Sequence, residues 1–249
     1  MINGKIFVLL LVVLPAVLAQ TDYCSANLCR NGKKHIACKN NGKFAAVCKN
    51  PKIIQITTAL RTQIVNKHNE LRNKIAQGFD KFPTAERMAA MVWNNELAKL
   101  AEYNVKQCKM SHDQCRNTKD FPYAGQNIAT STWRGMQKTV TQVIDTHIKN
   151  WFNEYKDCPV DIIKSYSKPK SGKAIGHFTA MVQDKSTHVG CAILRHNKNG
   201  SIQQIMTCNY AHTNINAAAV YRQGPTASKC TSGTHKKFTS LCSSSEKYN

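Results

Sequence analysis

Eleven cysteines follow an apolar leader in this chain, and no other feature constrains its fold so strongly. Met1 to Lys5 form a short positive start, Ile6 to Leu14 an unbroken apolar run, and Pro15 breaks it. Val17-Leu18-Ala19 then offers a small-residue cleavage pattern, so residues 1–19 read as a signal peptide cut after Ala19. The run falls short of the roughly 20 apolar residues that cross a bilayer. Cys24, Cys29, Cys38, Cys48, Cys108, Cys115, Cys158, Cys191, Cys208, Cys230 and Cys242 all survive the cut. In a secreted, extracellular chain they imply disulfides, with one thiol left over. No C-x-x-C occurs, which argues against a zinc ribbon and against a thioredoxin-like redox centre.

Charge narrows the partners. The 249 residues hold 35 Lys and Arg against 14 Asp and Glu, a formal +21, with 42% hydrophobic residues. That apolar share builds a core and excludes disorder as the dominant state. The sign excludes an acidic, Ca²⁺-buffering protein and favours anionic polysaccharide, lipid headgroups or an acidic protein face. Secretion removes nucleic acid from the expected partners. Nine basic residues and no acidic one lie between Asp22 and Glu70. Further lysines gather at Lys164, Lys168, Lys170 and Lys173, and at Lys229, Lys236 and Lys237.

Three zones follow the leader: a Cys-rich, loop-rich extension at 20–56, a periodic domain at 57–216, and a Ser/Thr/Lys-rich tail at 217–249. In the domain, Thr57 or Thr58 caps a helix with Leu60, Ile64, Leu71 and Ile75 on one face. Asn94 or Asn95 opens a second, with Leu97, Leu100, Ala101, Val105 and Cys108. A third runs from about Gln137 to Lys156, with Val140, Ile144, Trp151 and Tyr155 on one side. Strands are expected at about His177 to Val182, His188 to Leu194 and Ser201 to Asn209. Asn199-Gly200 marks a hairpin between the last two, across which Cys191 and Cys208 face each other. The fold class is α+β: a disulfide-stapled, three-layer α-β-α sandwich around an antiparallel sheet.

Several of these segments carry a family resemblance. Gly176-His177-Phe178-Thr179-Ala180-Met181-Val182 resembles the GH-[FY]-T signature of the CAP superfamily: cysteine-rich secretory proteins, antigen 5 and pathogenesis-related proteins. Ile205-Met206-Thr207-Cys208-Asn209-Tyr210 resembles its second signature, Ala124-Gly125-Gln126-Asn127 its G-[EQ]-N element, and Lys67-His68-Asn69-Glu70-Leu71-Arg72 its H-N-x-x-R helix. The resemblance spans about 22–222. The Tyr23-Cys24 to Cys48 pattern and Gln126 point to the insect antigen 5 (venom allergen-like) branch, and the C-terminal cysteine pair to its fly members. Two departures stand out: Gln183 where the first signature usually has Trp, and Asn214-Ile215 at the end of the second.

The resemblance implies the disulfides Cys24–Cys38, Cys29–Cys115, Cys48–Cys108, Cys191–Cys208 and Cys230–Cys242. Cys158, just past a helix end between Asp157 and Pro159, stays unpaired, as a buried free thiol or as the link of a covalent dimer. The family's cleft of two His and two acidic residues maps onto His112, Gln126, Glu154 and His177. Two neutral imidazoles suit Zn²⁺ or Cu²⁺, making His112 and His177 the metal candidates. Gln126, being neutral, replaces a carboxylate neither as base nor as ligand. Ser111 adjoins His112, yet no G-x-S-x-G, H-E-x-x-H or P-loop occurs, so no enzyme and no required cofactor is expected. The branch implies a salivary protein that modulates host haemostasis or immunity by binding a small lipid mediator (fatty acid, eicosanoid or sterol) or a host protein. An alternative is capture of anionic polysaccharide by the basic surface. Asn199-Gly200-Ser201 is the N-glycosylation sequon.

Overall fold

The computed structural model describes residues 21–136, 138–168 and 172–248. The leader at 1–19, Gln137 and Lys170 lie outside them. The strands are β1 (Lys49–Ile54), β2 (Val92–Trp93), β3 (Gly125–Trp133), β4 (His188–Lys198) and β5 (Ser201–Tyr210). The helices are α1 (Thr58–Ala76), α2 (Asn95–Val105), α3 (Val140–Asn153) and α4 (Gly176–Val182).

Local chemistry sets the helix starts. The side chains of Thr57, Asn94 and Thr139 each accept a backbone N–H of the first turn, and Thr139 with Gln142 closes a capping box. The sheet runs β1-β4-β5-β3, all antiparallel, with β2 joining β4 in parallel. Asn199 and Gly200 both take positive φ (50° and 69°), the geometry of a two-residue hairpin whose turn matches the strand twist. Cys191 and Cys208 are opposite each other in that register.

Period-two alternation divides the core into two layers. Ala192, Leu194 and Ile205 pack with Ile128 against Ala101 and Val105 of α2. Cys191, Ile193, Met206 and Cys208 pack instead with Ile64 and Ile75 of α1, Ile144, Ile148 and Trp151 of α3, and Phe178 of α4. The result is the α-β-α sandwich. Because both sheet faces are covered, β4 reads as a near-continuous apolar run from Val189 to Leu194, and β5 is buried from Gln203 to Tyr210 despite its polar residues.

Five disulfides join Cys24–Cys38, Cys29–Cys115, Cys48–Cys108, Cys191–Cys208 and Cys230–Cys242. The segment read as a tail is anchored: Val220, Tyr221, Phe238 and Leu241 enter the larger core layer. Glu246 is buried against Arg87 at 2.6 Å. Desolvation works to raise its carboxyl, but hydrogen bonds from Ser232, Thr231 and Arg87 outweigh that and hold it at about 2.

One expectation is corrected, and of the two alternatives for Cys158 the buried free thiol holds. Residues 176–182 form helix α4 rather than a strand, because a carboxylate from elsewhere, Glu154, accepts the N–H groups of His177 and Phe178 and nucleates the turn. Cys158 is fully buried in the core, not exposed, and burial pushes its thiol up to about 12. A thiol so enclosed cannot reach a second chain, which removes the Cys158-linked dimer.

Candidate functional site

Four elements converge on a cleft of about 470 Å³. His112 comes from a loop held at both ends by the Cys48–Cys108 and Cys29–Cys115 bonds. Gln126 and Asn127 come from β3, His177 from the first turn of α4, and Asn214 from the segment after β5; all line the cleft. Glu154 sits behind it, on the 3-10 turn Glu154–Lys156 that extends α3.

Hydrogen bonds fix the two imidazoles. Gln126 directs both amide hydrogens away from His112, to Asp113 Oδ2 (2.7 Å) and Asn209 Oδ1 (3.0 Å). Asn209 is itself oriented, donating its Nδ2 to the Leu97 carbonyl at 3.1 Å. Gln126 Oε1 is therefore an acceptor, and it receives Nδ1–H of His112 at 2.8 Å. On the other ring, His177 Nδ1–H donates to Glu154 Oε1 at 2.6 Å, while Glu154 Oε2 takes the backbone N–H groups of His177 and Phe178. Trp151 stacks on His177, with ring centroids 6.0 Å apart. In the neutral ring each histidine thus keeps its lone pair on Nε2, and neither Nε2 has a protein partner among the described residues.

A buried chain ties the cleft to α1. His68 donates Nδ1–H to the Ile64 carbonyl (2.8 Å) and faces the Tyr210 hydroxyl through Nε2 (3.0 Å). Complete burial pushes His68 down to about 4, so it stays neutral. Asn127 Nδ2 donates to Tyr210 and to the His177 carbonyl, fixing the loop that presents His177. Asn127 Oδ1 and Asn214 Oδ1 are buried without a partner. The cleft therefore offers two imidazole nitrogens, acceptors that suit a cation or a hydrogen-bond donor.

Other side chains temper that. Among the described residues no group of three or more His, Cys, Asp or Glu is arranged to hold a metal. Glu154 spends its carboxylate on His177 and α4, acting as an orienting group and not as a ligand. Arg116 lines the cleft but is paired with Asp113 at 2.7 Å. Ser111 Oγ donates to the His112 carbonyl at 3.4 Å and no imidazole takes its proton. Of the two departures from the signatures, Gln183 is buried and accepts the Lys185 N–H, and Asn214 donates to the Gly176 carbonyl at the start of α4. Asp113, Asn209 and Asn214 are the site residues that motif reading missed. Asp113 adjoins His112, but the partnership of Gln126 with Asn209 appears only once β3 and β5 are in register.

The family model for the cysteine-rich secretory protein (CAP) family matches residues 65–210, which hold His112, Gln126, Glu154 and His177. The chain belongs to the CAP family. It is 40% identical to venom allergen-1 of Aedes aegypti over 228 residues, covering 91% of this chain and 89% of that one. Against the antigen 5-like allergen Cul n 1 of Culicoides nubeculosus it is 43% identical over 205 residues, 78% of this chain and 93% of the relative. These likenesses make it an insect antigen 5-like CAP protein. Among solved structures, NaASP2 with Zn²⁺ superposes with a TM-score of 0.62 at 27% identity, covering 75% of this chain and 96% of that one.

Proposed function

We propose that this CAP protein is a secreted, non-enzymatic binding protein whose cleft holds Zn²⁺ or Cu²⁺ through Nε2 of His112 and His177. The observation that carries the reading is the pair of Nδ1–H bonds, to Gln126 and Glu154, which leaves Nε2 as the free nitrogen of both rings in one cleft. Such backing partners fix tautomer and ring orientation, and their loss costs roughly 10–100-fold in metal affinity. The Zn²⁺ in the NaASP2 structure supports the reading. With two protein nitrogens the remaining positions fall to water or a bound anion, which suits an exchangeable ion. Among the described residues no carboxylate or hydroxyl is hydrogen-bonded to either Nε2, which supports binding over hydrolysis. The leader at 1–19 and the five disulfides support secretion, and the antigen 5 likeness supports a salivary protein acting on host haemostasis or immunity. Asn199, exposed at the hairpin tip, is the proposed glycan site. Titration calorimetry with Zn²⁺ is expected to give one site per chain, weakened at least tenfold by His112→Ala or His177→Ala. Undiminished uptake by the double variant would remove the reading.

A second reading, carriage of a small lipid, rests on a different cavity. The apolar stripes of α1 and α3 are spent on the core. A cleft of about 370 Å³ opens instead beside β1 and α2, walled by Ile53, Ile54, Ile56, Trp93 and Ala98, with Arg61, Lys99 and Glu102 as its charged residues, Glu102 being paired with Lys106. An apolar slot with a cationic mouth suits a fatty acid or eicosanoid. Oleate is expected to quench Trp93 emission saturably, and Ile54→Asp to abolish the effect. Emission that ignores oleate in the wild-type protein would sink this reading.

A further inference from the structure

A further cavity lies away from the histidine cleft and is built in good part by residues beyond the family-matched stretch. Its volume is about 610 Å³, within the range of small-molecule sites. One wall is the turn after α4, with Asp184 and Lys185; another is the segment after β5, with Ile215, Ala218 and Arg222; the C-terminal Lys247 and Tyr248 close it. The Cys230–Cys242 bond and the buried Glu246 pin that last wall in place.

The charges around it are unevenly satisfied. Four cationic side chains, Arg87, Lys185, Arg222 and Lys247, line the cavity against one carboxylate, Asp184. Arg87 is committed to structure: it pairs with Glu246, donates to the Lys247 carbonyl at 2.7 Å, and lies over the Tyr248 ring. Arg222 is half exposed and only loosely paired, 3.7 Å from Glu86 and 4.0 Å from Asp184. Lys185 and Lys247 are exposed and have no ion-pair partner among the described residues. Beside these charges stands an apolar surface, with Ile215 one of the few exposed large hydrophobic side chains. Two unpaired ammonium groups and a loose guanidinium converging on one concavity attract a compact anion more than a lone surface lysine does. The adjoining Ile215 and Ala218 favour an anion that carries an apolar body.

We propose that this cavity binds a small organic ester of phosphate or sulfate, its oxyanion held by Lys185, Arg222 and Lys247 and its apolar part against Ile215 and Ala218. The site is independent of the metal cleft. It also differs from capture of long polyanions by diffuse surface charge, because it requires a concave pocket and a ligand small enough to enter it.

The test is titration of the full-length secreted protein, at fixed ionic strength, with phenyl phosphate, phenyl sulfate and inorganic phosphate. One aromatic ester is expected to bind saturably at one site and more tightly than inorganic phosphate, and the preferred ester identifies the oxyanion. The Lys185→Ala/Lys247→Ala double variant should bind at least tenfold more weakly, since both side chains are exposed and removing them leaves the fold intact. A control double variant at exposed lysines outside the cavity, Lys229→Ala/Lys236→Ala, and the His112→Ala variant should bind as the wild type does. No saturable binding of either ester, unchanged binding in the Lys185/Lys247 variant, or an equal loss in the lysine control would each overturn the proposal.

Discussion

Replacing Arg72 with methionine is expected to destabilise the protein by about 4 kcal/mol or more. Arg72 lies in the C-terminal half of α1, fully buried, and its guanidinium donates only to backbone carbonyls. Two bonds go to Ala89 (3.1 and 2.7 Å), one to Met181 (2.7 Å) and one to Gln183 (2.8 Å), with Asp184 further off at 3.4 Å. One side chain thus ties α1 to the 88–91 segment and to the end of α4. Burial pulls Arg72 down to about 10, which still leaves it charged at neutral pH. Methionine fills similar space but strands the Ala89 and Met181 carbonyls, each costing about 1–3 kcal/mol when buried without a donor, while the Gln183 carbonyl keeps the Ser186 N–H. Urea unfolding reads the effect directly. Arg72→Lys should recover only part of it, since an ammonium lacks the planar fork that reaches the Ala89 carbonyl from one edge and those of Met181 and Gln183 from the other. A Met variant within 1 kcal/mol of the wild type would show that the α1–α4 tie does not hold the fold.

A single methyl group at Gly190 is expected to lower Tm by about 6–12 °C. A Cβ there would lie 2.3 Å from the Ala98 nitrogen, 2.4 Å from the Asn94 oxygen and 2.8 Å from the Leu97 carbonyl carbon. All three are backbone atoms in the first turn of α2, so no flexible side chain can yield. Either α2 rides off the sheet or β4 bows, a distortion of about 3 kcal/mol, at the upper end of usual overpacking costs; for a chain of this size that is about 2–4 °C per kcal/mol. The disturbance also travels. Leu97 accepts the amide of Asn209, Asn209 accepts that of Gln126, and Gln126 orients His112. Gly190→Ala should therefore weaken Zn²⁺ binding as well as stability, although residue 190 is not among those lining the cleft. A Tm within 1 °C of the wild type would contradict the close approach of α2 to β4.

The sequence carried the elements whose signals are local. Thr57, Asn94 and Thr139 cap helices that turn one apolar stripe inward, and Asn199-Gly200 needs only two residues to set its turn. Elements defined by distant partners were illegible. Strand β3 reads Gly-Gln-Asn-Ile-Ala-Thr-Ser-Thr-Trp, with polar residues on buried positions because Gln126 and Asn127 serve the cleft, so its alternation is hidden. Helix α4 lacks a local cap; its first turn is held by Glu154, and its residues from Phe178 to Val182 are all buried, which erases a helical period. The C-terminal segment is sparse in apolar residues, yet Phe238 and Leu241 reach the core through a disulfide-closed loop whose path no periodicity encodes. At the site, the two histidines were legible through their motifs. What Gln126 does was not: as a neutral amide it looked like a lost carboxylate, and its orienting role rests on Asp113 and Asn209 on either side.

Crystals soaked in Zn²⁺, with data collected on both sides of the zinc absorption edge, test the central claim most directly. An anomalous peak is expected about 2.0–2.1 Å from Nε2 of both His112 and His177, with the Nδ1–H bonds to Gln126 and Glu154 retained. A cleft without a peak while zinc occupies other side chains, or a peak bound through Nδ1 with those two bonds broken, would contradict it.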